Sequence, residues 1–442
     1  MIPWHNPARF RRACPLLVQT ADGWRCAVAA EEVRPFWGRA AAYSGALLLT
    51  VYLAATLALF ATLRSAGYDV AFRSLVWPQR WGEVRGSQER LYARQAQQAM
   101  TAGRFQEAVL ALEMVCQLNP RNYEAGLSLA SLSLVAGRPD YAERVYERLM
   151  RDVPAQRVAT AQLWVRPLLA SADFEKIKPL AAAMLTENPG DRSAWLHALL
   201  FASRATGDTA ALTRVLEQGG SLPAWCRDVI ETERLLLQNR LADAFPSLTR
   251  VFLAGDEPYV PYFQTDRLLR HGRPEAALAL LNAYGNRIPI IEAVFLRLRI
   301  FQITGNHALH EGEVDTALQL PLTPHLVAQF AASLVRQPDP ALFDRFLQKL
   351  SDTGPALSAE TLPLYHATYL AAVLSGNQAG ADVTLSRINR LTGSDSRLLR
   401  GLGDLLKSNR QDARLARILP LVALPTAVVY AALESSQIPA KR

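Results

Sequence analysis

Two stretches of the chain decide the fold: "TAGRFQEAVLALEMVCQLNP" at residues 101–120 and "VAGRPDYAERVYERLMRDVP" at residues 135–154. They share a glycine, an alanine and a terminal proline in the same order, at an interval of 34 residues. Each stretch predicts the end of one helix, a turn at the glycine, a second helix, and a proline that ends it. A third stretch, "RHGRPEAALALLNAYGNRIP" at residues 270–289, keeps the same internal spacing. Self-similarity of this kind indicates an array of helical repeats.

Weaker copies fill the rest of the C-terminal part of the chain. Ala172 takes the place of the turn glycine ahead of Pro189, and Trp195 follows at the first aromatic position of the next unit. The other turn positions are degraded further, and they are Asn239, Gly305, Pro338 to Pro340, and Gly376. This template predicts about nine helix pairs between Gln88 and Leu406. Chance matches in a generic alanine-rich helical domain are the alternative interpretation.

The order of small residue, glycine, aromatic residue, alanine and terminal proline resembles the tetratricopeptide repeat (TPR). The resemblance implies an all-α, TPR-like α-solenoid, in which the first helix of each pair lines a concave groove that binds an extended peptide or a helix. It also implies which positions of each repeat face that groove. Transferred to this sequence, the predicted partner-binding residues are Arg90, Gln97, Leu127, Ser131, Leu196, Leu200, Arg204, Tyr259, Tyr262, Asp266 and Arg270.

The groove residues distinguish between kinds of partner. Chaperone-binding TPR domains share a carboxylate clamp of Lys and Asn, whereas this chain has Ala93, Gln97 and Ser128 at the equivalent positions. The resemblance therefore does not imply binding of an acidic C-terminal peptide. The most surface-like aromatic cluster is "EPYVPYF" at residues 257–263. Its rings are expected either in the groove or packed between repeats.

A second informative feature is the run of 24 uncharged residues, 40–63, that Arg39 and Arg64 bracket. A helix of that length spans about 36 Å, and a bilayer has a hydrocarbon core of roughly 30 Å. Aromatic residues typical of membrane interfaces flank the run, and they are Trp37, Tyr68, Trp77 and Trp81. We therefore predict one transmembrane helix that contacts the lipid bilayer through residues 40–63.

Two other interpretations of this run are a signal peptide and a buried core helix. The preceding 39 residues are too long for a signal peptide, and they include Glu31 and Glu32. A core helix would show a polar face, which this run lacks. The flanking arginines are balanced and do not fix the orientation. An uncleaved helix behind a short tail favours a single-pass protein of a bacterial inner membrane, with its repeats on the non-cytoplasmic side.

The chain is thus predicted to have five segments. They are a tail or small β-hairpin (1–39), the transmembrane helix (40–63), a juxtamembrane linker (64–87), TPR-like repeats (88–406), and C-terminal capping helices with a tail (407–442). The last segment includes "ILPLVALPTAVVYAAL" at residues 418–433, which Pro420 and Pro425 interrupt. We expect a terminal helix there that covers the last repeat, not a second transmembrane span.

Charge and cysteine content restrict the function further. The net charge of +8 comes from arginines scattered among acidic residues, whereas a nucleic-acid surface would concentrate them in a stripe, so we predict no nucleic-acid partner. The segment "CPLLVQTADGWRCAV" at residues 14–28 predicts two short strands around an Ala-Asp-Gly turn. That hairpin could bring Cys14 and Cys26 together. With His5 they give three ligands, whereas structural zinc takes four, so a disulfide, a metal site and a plain subdomain stay open.

The sequence contains little that indicates catalysis. The segment "NHALHEGE" at residues 306–313 is HxxHE and not the HExxH of zinc peptidases, and its place beside a turn glycine favours an exposed loop. We therefore predict no cofactor, no metal and no enzyme activity. The layout is similar to bacterial envelope TPR proteins that recruit or assemble other membrane proteins. The leading hypothesis is a membrane-anchored scaffold that binds a protein partner. An accessory subunit of an envelope complex is the alternative, followed by a hydrolase or transferase with a site across repeats.

Overall fold

The structure is a computed structural model of the 442-residue chain, and it describes residues 17–21, 23–26, 36–218, 222–252, 259–408 and 414–436. The chain separates into two compact units, Met1–Leu129 and Ala130–Arg442. Each unit is described by its own contacts. Within the described ranges the fold is almost wholly helical, which confirms the predicted all-α class.

The described residues form one small sheet and 23 α-helices, numbered here in chain order. The strands are β1 Leu17–Thr20 and β2 Gly23–Cys26. The helices are α1 Phe36–Ser65, α2 Phe72–Val76, α3 Trp81–Thr101, α4 Phe105–Leu118, α5 Tyr123–Val135, α6 Pro139–Asp152, α7 Arg157–Ala170, α8 Phe174–Glu187, α9 Arg192–Thr206, α10 Ala210–Gln218, α11 Ala224–Leu237, α12 Leu241–Thr249, α13 Tyr259–Arg270, α14 Pro274–Tyr284, α15 Ile290–Thr304, α16 His307–Gln319, α17 Pro324–Arg336, α18 Pro340–Thr353, α19 Leu362–Leu374, α20 Gln378–Thr392, α21 Arg397–Ser408, α22 Leu415–Ile418 and α23 Thr426–Ser436.

The two strands form the hairpin predicted around the Ala-Asp-Gly turn. They are antiparallel, with Leu17 opposite Cys26 and Thr20 opposite Gly23. Gly23 has φ +112°, a conformation that residues with a side chain rarely adopt. Cys14 and His5, the other groups of the predicted cysteine site, lie outside the described residues.

Helix α1 coincides with the predicted transmembrane segment and extends it at both ends. Its part Gly38–Ser65 contains an 18-residue window with a mean hydropathy of 2.2, and this part is long and apolar enough to cross a membrane. The chain then turns back along it: the Tyr52 hydroxyl donates to the Val76 carbonyl (2.7 Å), and the rings of Phe60 and Phe72 meet edge to face. Residues 64–87 are therefore not a simple linker, because they contain α2 and the start of α3.

Nine helix pairs follow in the described residues, from α3/α4 to α19/α20, and α21 comes after them as a single helix. This confirms the predicted α-solenoid and its number of repeats. Helix α3 begins at Trp81, ahead of the predicted Gln88, and the Trp81 indole N–H donates to the Leu75 carbonyl (3.2 Å).

The turns between paired helices show why the glycine spacing predicted the fold. The predicted turn residues all have left-handed φ angles; they are Gly103, Gly137, Ala172, Asn239, Gly272, Gly305 and Gly376. At the first of them, Arg104 N–H donates to the Ala99 carbonyl (2.8 Å), which closes the end of α3. Gly207 is a further left-handed turn that the template missed. At residues 338–340 the turn is different, because the Asp339 carboxylate caps α18 by accepting from Leu342 N–H (3.0 Å).

One local prediction was wrong. Residues 307–313 are not an exposed loop but the first turns of α16. The Asn306 side chain caps this helix by accepting from Leu309 N–H (3.2 Å), and His310 is buried. The sequence showed the turn glycine Gly305, but the cap that follows it directly was not recognised.

Candidate interaction groove

The C-terminal segment of the second unit lies against the first helices of the repeat pairs. We call the surface formed by α7, α9, α11, α13, α15, α17 and α19 the concave groove. Helix α23 packs along α17 and also contacts α7. Its side chains reach α9 and α13, and the residues just ahead of it contact α7 and α19. Every contact named here is made by a first helix, so α23 occupies the concave groove.

Helix α23 is buried on all sides. Six consecutive residues, 428–433, have little or no exposed surface, which includes all directions around a helix. A helix that is apolar all round needs this kind of cover. The expectation that the C-terminal helix would cover the last repeat is therefore wrong. A capping helix would keep one face in water, whereas the concave groove covers every face of α23.

An aromatic cluster holds the middle of α23. We give this name to His197, Phe201, Tyr259, Tyr262 and Tyr430. The Tyr430 ring lies edge to face on His197, with centroids 4.4 Å apart, and on Phe201 at 4.8 Å. His197 Nδ1 is 3.2 Å from the Tyr259 hydroxyl, so the histidine ties Tyr430 to the opposite helix α13.

Burial controls the protonation of this cluster. Burial, together with the Arg204 guanidinium, lowers the pKa of His197 to about 4, so its ring is neutral at pH 7. Burial also raises the pKa of the Tyr259 and Tyr262 hydroxyls, which therefore stay protonated. The aromatic cluster is accordingly uncharged and can hold an aromatic side chain by ring contacts and one hydrogen bond.

One turn beyond Tyr430, Glu434 links α23 to two helices of the concave groove. Its Oε2 accepts from Arg336 Nε (2.8 Å), and its Oε1 lies 3.0 Å from Arg270 Nη2. Burial alone would raise the pKa of the Glu434 carboxyl, but the attraction of Arg336 outweighs it and lowers that pKa below its ordinary value. Glu434 is therefore ionised and bridges α13 and α17.

Behind Glu434 lies a buried centre of charge around Asp266. Its carboxylate is 2.6 Å from Arg299 Nη1 and 3.1 Å from Arg270 Nε, and it also contacts Arg267 and, more distantly, Arg204. Burial alone would raise the pKa of Asp266, but these guanidinium groups hold it well below its ordinary value. A buried carboxylate surrounded in this way stays charged.

Glu233 on α11 completes what we call the charge network. Its Oε1 lies 3.3 Å from Arg204 Nε and 3.8 Å from Arg267 Nη1. The charge network therefore joins five arginines to three carboxylates. Its members are Arg204, Glu233, Asp266, Arg267, Arg270, Arg299, Arg336 and Glu434. The lining helices supply all of the arginines but only two of the carboxylates, and α23 supplies the third.

Two backbone contacts hold the segment that leads into α23. The Arg166 guanidinium donates to the Leu424 carbonyl (3.3 Å), and His366 Nδ1 lies 2.9 Å from the Ala423 carbonyl. Because a carbonyl only accepts, Nδ1 of His366 carries the proton. A cavity of about 240 Å³ separates part of this segment from α7, and Tyr146 and Arg166 line it. The buried side chains of Val422 and Leu424 add to these contacts, while the side of the segment that faces the cavity is loosely packed.

The structure brings together five of the eleven predicted partner-binding residues. Arg204, Tyr259, Tyr262, Asp266 and Arg270 all belong to the aromatic cluster or the charge network. They face the concave groove as the TPR register predicted. They contact the chain's own α23, however, which was not predicted.

Two predicted residues are not exposed. Leu196 and Leu200 lie one turn apart on α9 and are fully buried. Their predicted exposure is wrong. The remaining predicted residues lie on α3 and α5. Gln97, Arg90 and Ser131 are exposed and Leu127 is half-buried, while Arg90 also donates to the Asp69 carbonyl (3.4 Å). Their role in partner binding stays a prediction.

The most important groove residues outside the prediction are His197, Arg299, Arg336, Tyr430 and Glu434. The register rule applied to the repeats did not select the first three. Tyr430 and Glu434 gave a usable signal. An aromatic residue and an acid four positions apart at the end of an apolar helix are typical of a helix that docks into a groove.

The structure adds little to the question of metal or thiol chemistry. Within the described ranges, no group of three or more His, Cys, Asp or Glu side chains is placed to hold a metal ion. Cys116 and Cys226 are buried thiols. Burial raises the pKa of Cys226 to about 12, so this thiol is not a nucleophile near neutral pH.

Comparison with known proteins agrees with the repeat architecture. A family model for the tetratricopeptide repeat matches residues 99–164, the region of the Gly103 and Gly137 copies. The match confirms the TPR-like nature of these repeats. Tetratricopeptide repeats form a protein-interaction fold.

Similarity beyond the repeats is low. A chain in the crystal structure of the APC/C hetero-tetramer Cut9–Hcn1 aligns with 92% of this chain and 96% of its own length, at 12% identity and a TM-score of 0.31. At that TM-score the alignment carries no argument about function. No curated protein matches the chain.

Proposed function

We propose that this protein is a membrane-anchored scaffold that binds a protein partner through its repeats and performs no chemistry itself. The observation that carries the proposal is the combination of a TPR-like solenoid with one long, apolar, exposed helix on the same chain. The solenoid provides a binding surface, and the helix holds that surface next to a bilayer. Tethering of this kind raises the effective concentration of a partner at the membrane.

Helix α1 exposes an apolar surface that would be unfavourable in water. Large apolar side chains are exposed along its whole length, for example Leu48, with 70% of its surface accessible. Each such side chain gains roughly 1.5–3 kcal/mol when an apolar environment replaces water. A continuous apolar surface of this length on a soluble protein would cause aggregation unless something covered it. A bilayer covers it completely.

Exposed aromatic rings favour the same arrangement. Trp77 and Trp81 are exposed beside the Tyr52–Val76 contact, and Phe72 is partly exposed on α2. Tryptophan side chains are typical of the boundary between lipid and water. We infer that α2 and its neighbouring tryptophans lie along the membrane surface, and that the repeats stand on the non-cytoplasmic side of an inner membrane.

The concave surface defines the kind of partner. Its aromatic cluster and charge network match side chains of a helix, as the bound α23 demonstrates chemically with Tyr430 and Glu434. Ser131 and Gln97, two of the predicted partner-binding residues, are exposed on α5 and α3, outside the concave groove. We therefore infer a protein partner that contributes a helical segment, rather than a nucleic acid or a small substrate.

Site-specific photo-crosslinking in cells tests this function. A photoreactive amino acid at Ser131, Gln97 or Arg270 should give a discrete protein adduct in the membrane fraction. The matched control is Val383, which is exposed on the second helix α20 and should give no such adduct. Equal adducts from the predicted and control positions, or adducts to lipid alone, would contradict partner binding by the predicted residues.

A further inference from the structure

We propose that α23 is a releasable occupant of the concave groove, and that the partner replaces it with a helix carrying an aromatic residue and a carboxylate four positions later. This inference rests on the proposed function and names the chemistry of the partner. It makes the C-terminal helix an internal competitor for the binding site. The groove would then be closed until such a helix is present.

Helix α23 lies outside the nine helix pairs. Helices of the array also pack on one another: α17 packs on α19 as well as on α23, and α19 packs on α20 and α21. Helix α23 comes after the last repeat and returns along the chain: Leu424 accepts a hydrogen bond from Arg166, 258 residues earlier. It is therefore a ligand-like segment and not a member of the array.

The charge of α23 is complementary to that of the concave groove. Without α23, the charge network consists of five arginines and only two carboxylates, Asp266 and Glu233, within a largely buried site. Glu434 neutralises part of this excess by contacting both Arg270 and Arg336. Buried charges are strongly unfavourable unless they are paired. Any helix that replaces α23 must therefore bring a carboxylate to the same place, and a basic or neutral helix would not fit.

The spacing of Tyr430 and Glu434 matches two receiving sites in the concave groove. Tyr430 and Glu434 are one helical turn apart, so they project from the same face of α23. The aromatic cluster receives the ring, and Arg270 and Arg336 receive the carboxylate. Interfaces are commonly held by a few such groups, an aromatic anchor and a desolvated charge pair. The spacing of the two receiving sites thus specifies the partner residues without specifying the rest of its sequence.

The segment ahead of α23 provides a place where release of the helix can begin. In this segment, the side chains of Val422 and Leu424 are buried, and the carbonyls of Ala423 and Leu424 contact His366 and Arg166; one side of the segment borders the cavity of about 240 Å³ next to α7. Pro420 and Pro425 interrupt helix formation there. Detachment can therefore begin at this side without unfolding of the repeats. A competing helix has only to outcompete α23, which lowers its apparent affinity by the fraction of closed grooves.

The test uses the full chain in detergent micelles and a fluorescent peptide that reproduces residues 424–442. In the Glu434→Lys chain, the lysine is repelled by Arg270 and Arg336, so α23 is weakened in its own groove. The peptide should bind this variant at least tenfold more tightly than it binds the unsubstituted chain. The matched control is Glu360→Lys, which makes the same charge change at an exposed position and should leave peptide binding unchanged.

Peptide variants test the proposed chemistry. A peptide with permuted apolar residues that keeps Tyr and Glu four positions apart should bind the Glu434→Lys chain within about threefold of the natural peptide. A peptide with Tyr and Glu two positions apart should lose at least tenfold. Hydrogen exchange of α17 in the Glu434→Lys chain, compared with the unsubstituted chain, verifies that the groove remains folded.

Three results would overturn the proposal. One is equal peptide binding by the Glu434→Lys and unsubstituted chains. Another is a folded Glu434→Lys chain that binds no peptide, because α23 would then be a permanent part of the core. The third is a dimer that the peptide dissociates, which would assign the groove to a second copy of this chain. None of these results depends on the cellular partner, so they are distinguishable from failure of the proposed scaffold function.

Discussion

Helices α1 and α23 are both largely apolar, and they have opposite surroundings. Helix α1 has 30 residues and exposes them: Leu48 is 70% accessible and Val51 is 59% accessible. Helix α23 has 11 residues, and Ala431 within it is fully buried. Length explains the difference. Thirty residues of helix span about 45 Å and can cross a bilayer, whereas eleven span about 16 Å and cannot.

The comparison teaches that composition alone does not identify what covers an apolar helix. For α1 the cover is external, and we propose the bilayer. For α23 the cover is the concave groove of its own chain. Removing the cover or adding a charge is therefore expected to have different consequences for the two helices.

The largest effect is expected from deleting residues 36–65. Because α1 carries the long apolar run, its loss should move essentially all of the protein from the carbonate-resistant membrane fraction to the supernatant. Deletion of residues 422–436 removes the other apolar helix and should leave the protein in the membrane. Retention of the first variant in the membrane would show that α1 is not the principal membrane contact.

A charge within α23 should strongly destabilise the second unit or release the helix. Ala432 is fully buried, and Ala432→Asp places an unpaired carboxylate among apolar side chains. We expect a loss of about 3–5 kcal/mol in the free energy of unfolding, measured with denaturant in detergent micelles. Ala423→Asp, at an exposed position of the same segment, should change it by less than about 0.5 kcal/mol. Similar losses for the two variants would mean that α23 is not enclosed.

The next effect concerns pH and the aromatic cluster. The folded-state pKa of His197 is about 4, below its ordinary value of 6.5, so the unfolded chain takes up a proton first as the pH falls. The stability that neutral His197 provides is therefore complete above about pH 6.5 and is lost between about pH 6.5 and 4. The groups that face this ring are Phe201, Arg204, Tyr259, Tyr262, Asp266, Arg336, Tyr430 and Glu434.

We expect the free energy of unfolding to fall by about 2 kcal/mol between pH 6.5 and pH 5, and His197→Phe to flatten that dependence. The lowered pKa values of Asp266 and Glu434 place their titration below this interval. His325→Gln, which changes an exposed histidine, should retain the full dependence. An unchanged slope in His197→Phe would remove the histidine as its source.

The smallest expected effect is the coupling between Arg336 and Glu434. A double-mutant cycle with Arg336→Met and Glu434→Gln should give a coupling free energy of about 1 kcal/mol or more, because both groups are largely buried. The exposed pair of Arg345 and Asp315 provides the control and should couple by less. If the exposed pair couples as strongly, the contact of α23 with α17 is not a desolvated ion pair.

Much of the fold was predictable because its code is local. Left-handed turns require residues such as Gly103 or Gly137, and prolines end the helices, so the spacing alone predicted nine pairs. Even Ala172 and Asn239, which are not glycines, were recognised by their position. The hairpin at residues 17–26 and the apolar helix α1 were predictable for the same reason: each depends on neighbouring residues only.

The groove and its occupant were only partly predictable. The TPR register correctly placed Tyr259, Tyr262 and Asp266, but Leu196 and Leu200 are buried rather than exposed. Arg204 was assigned in the same register on the same helix and does reach the charge network, so the burial of the two leucines is not an error of register. The docking of α23 was beyond such reasoning, because it joins residues as far apart as Arg166 and Leu424. Contacts of that kind depend on the assembled groove and leave no periodic pattern.

Hydrogen exchange of α23 in the full chain tests the central claim most directly. We predict that the amides of residues 428–433 exchange as slowly as those of α17, and that excess permuted peptide, with Tyr and Glu four positions apart, accelerates the exchange of α23 alone. Exchange in α1 should not respond to the peptide. Fast exchange in α23 from the outset, or slow exchange that the peptide leaves unchanged, would contradict a releasable helix in the concave groove.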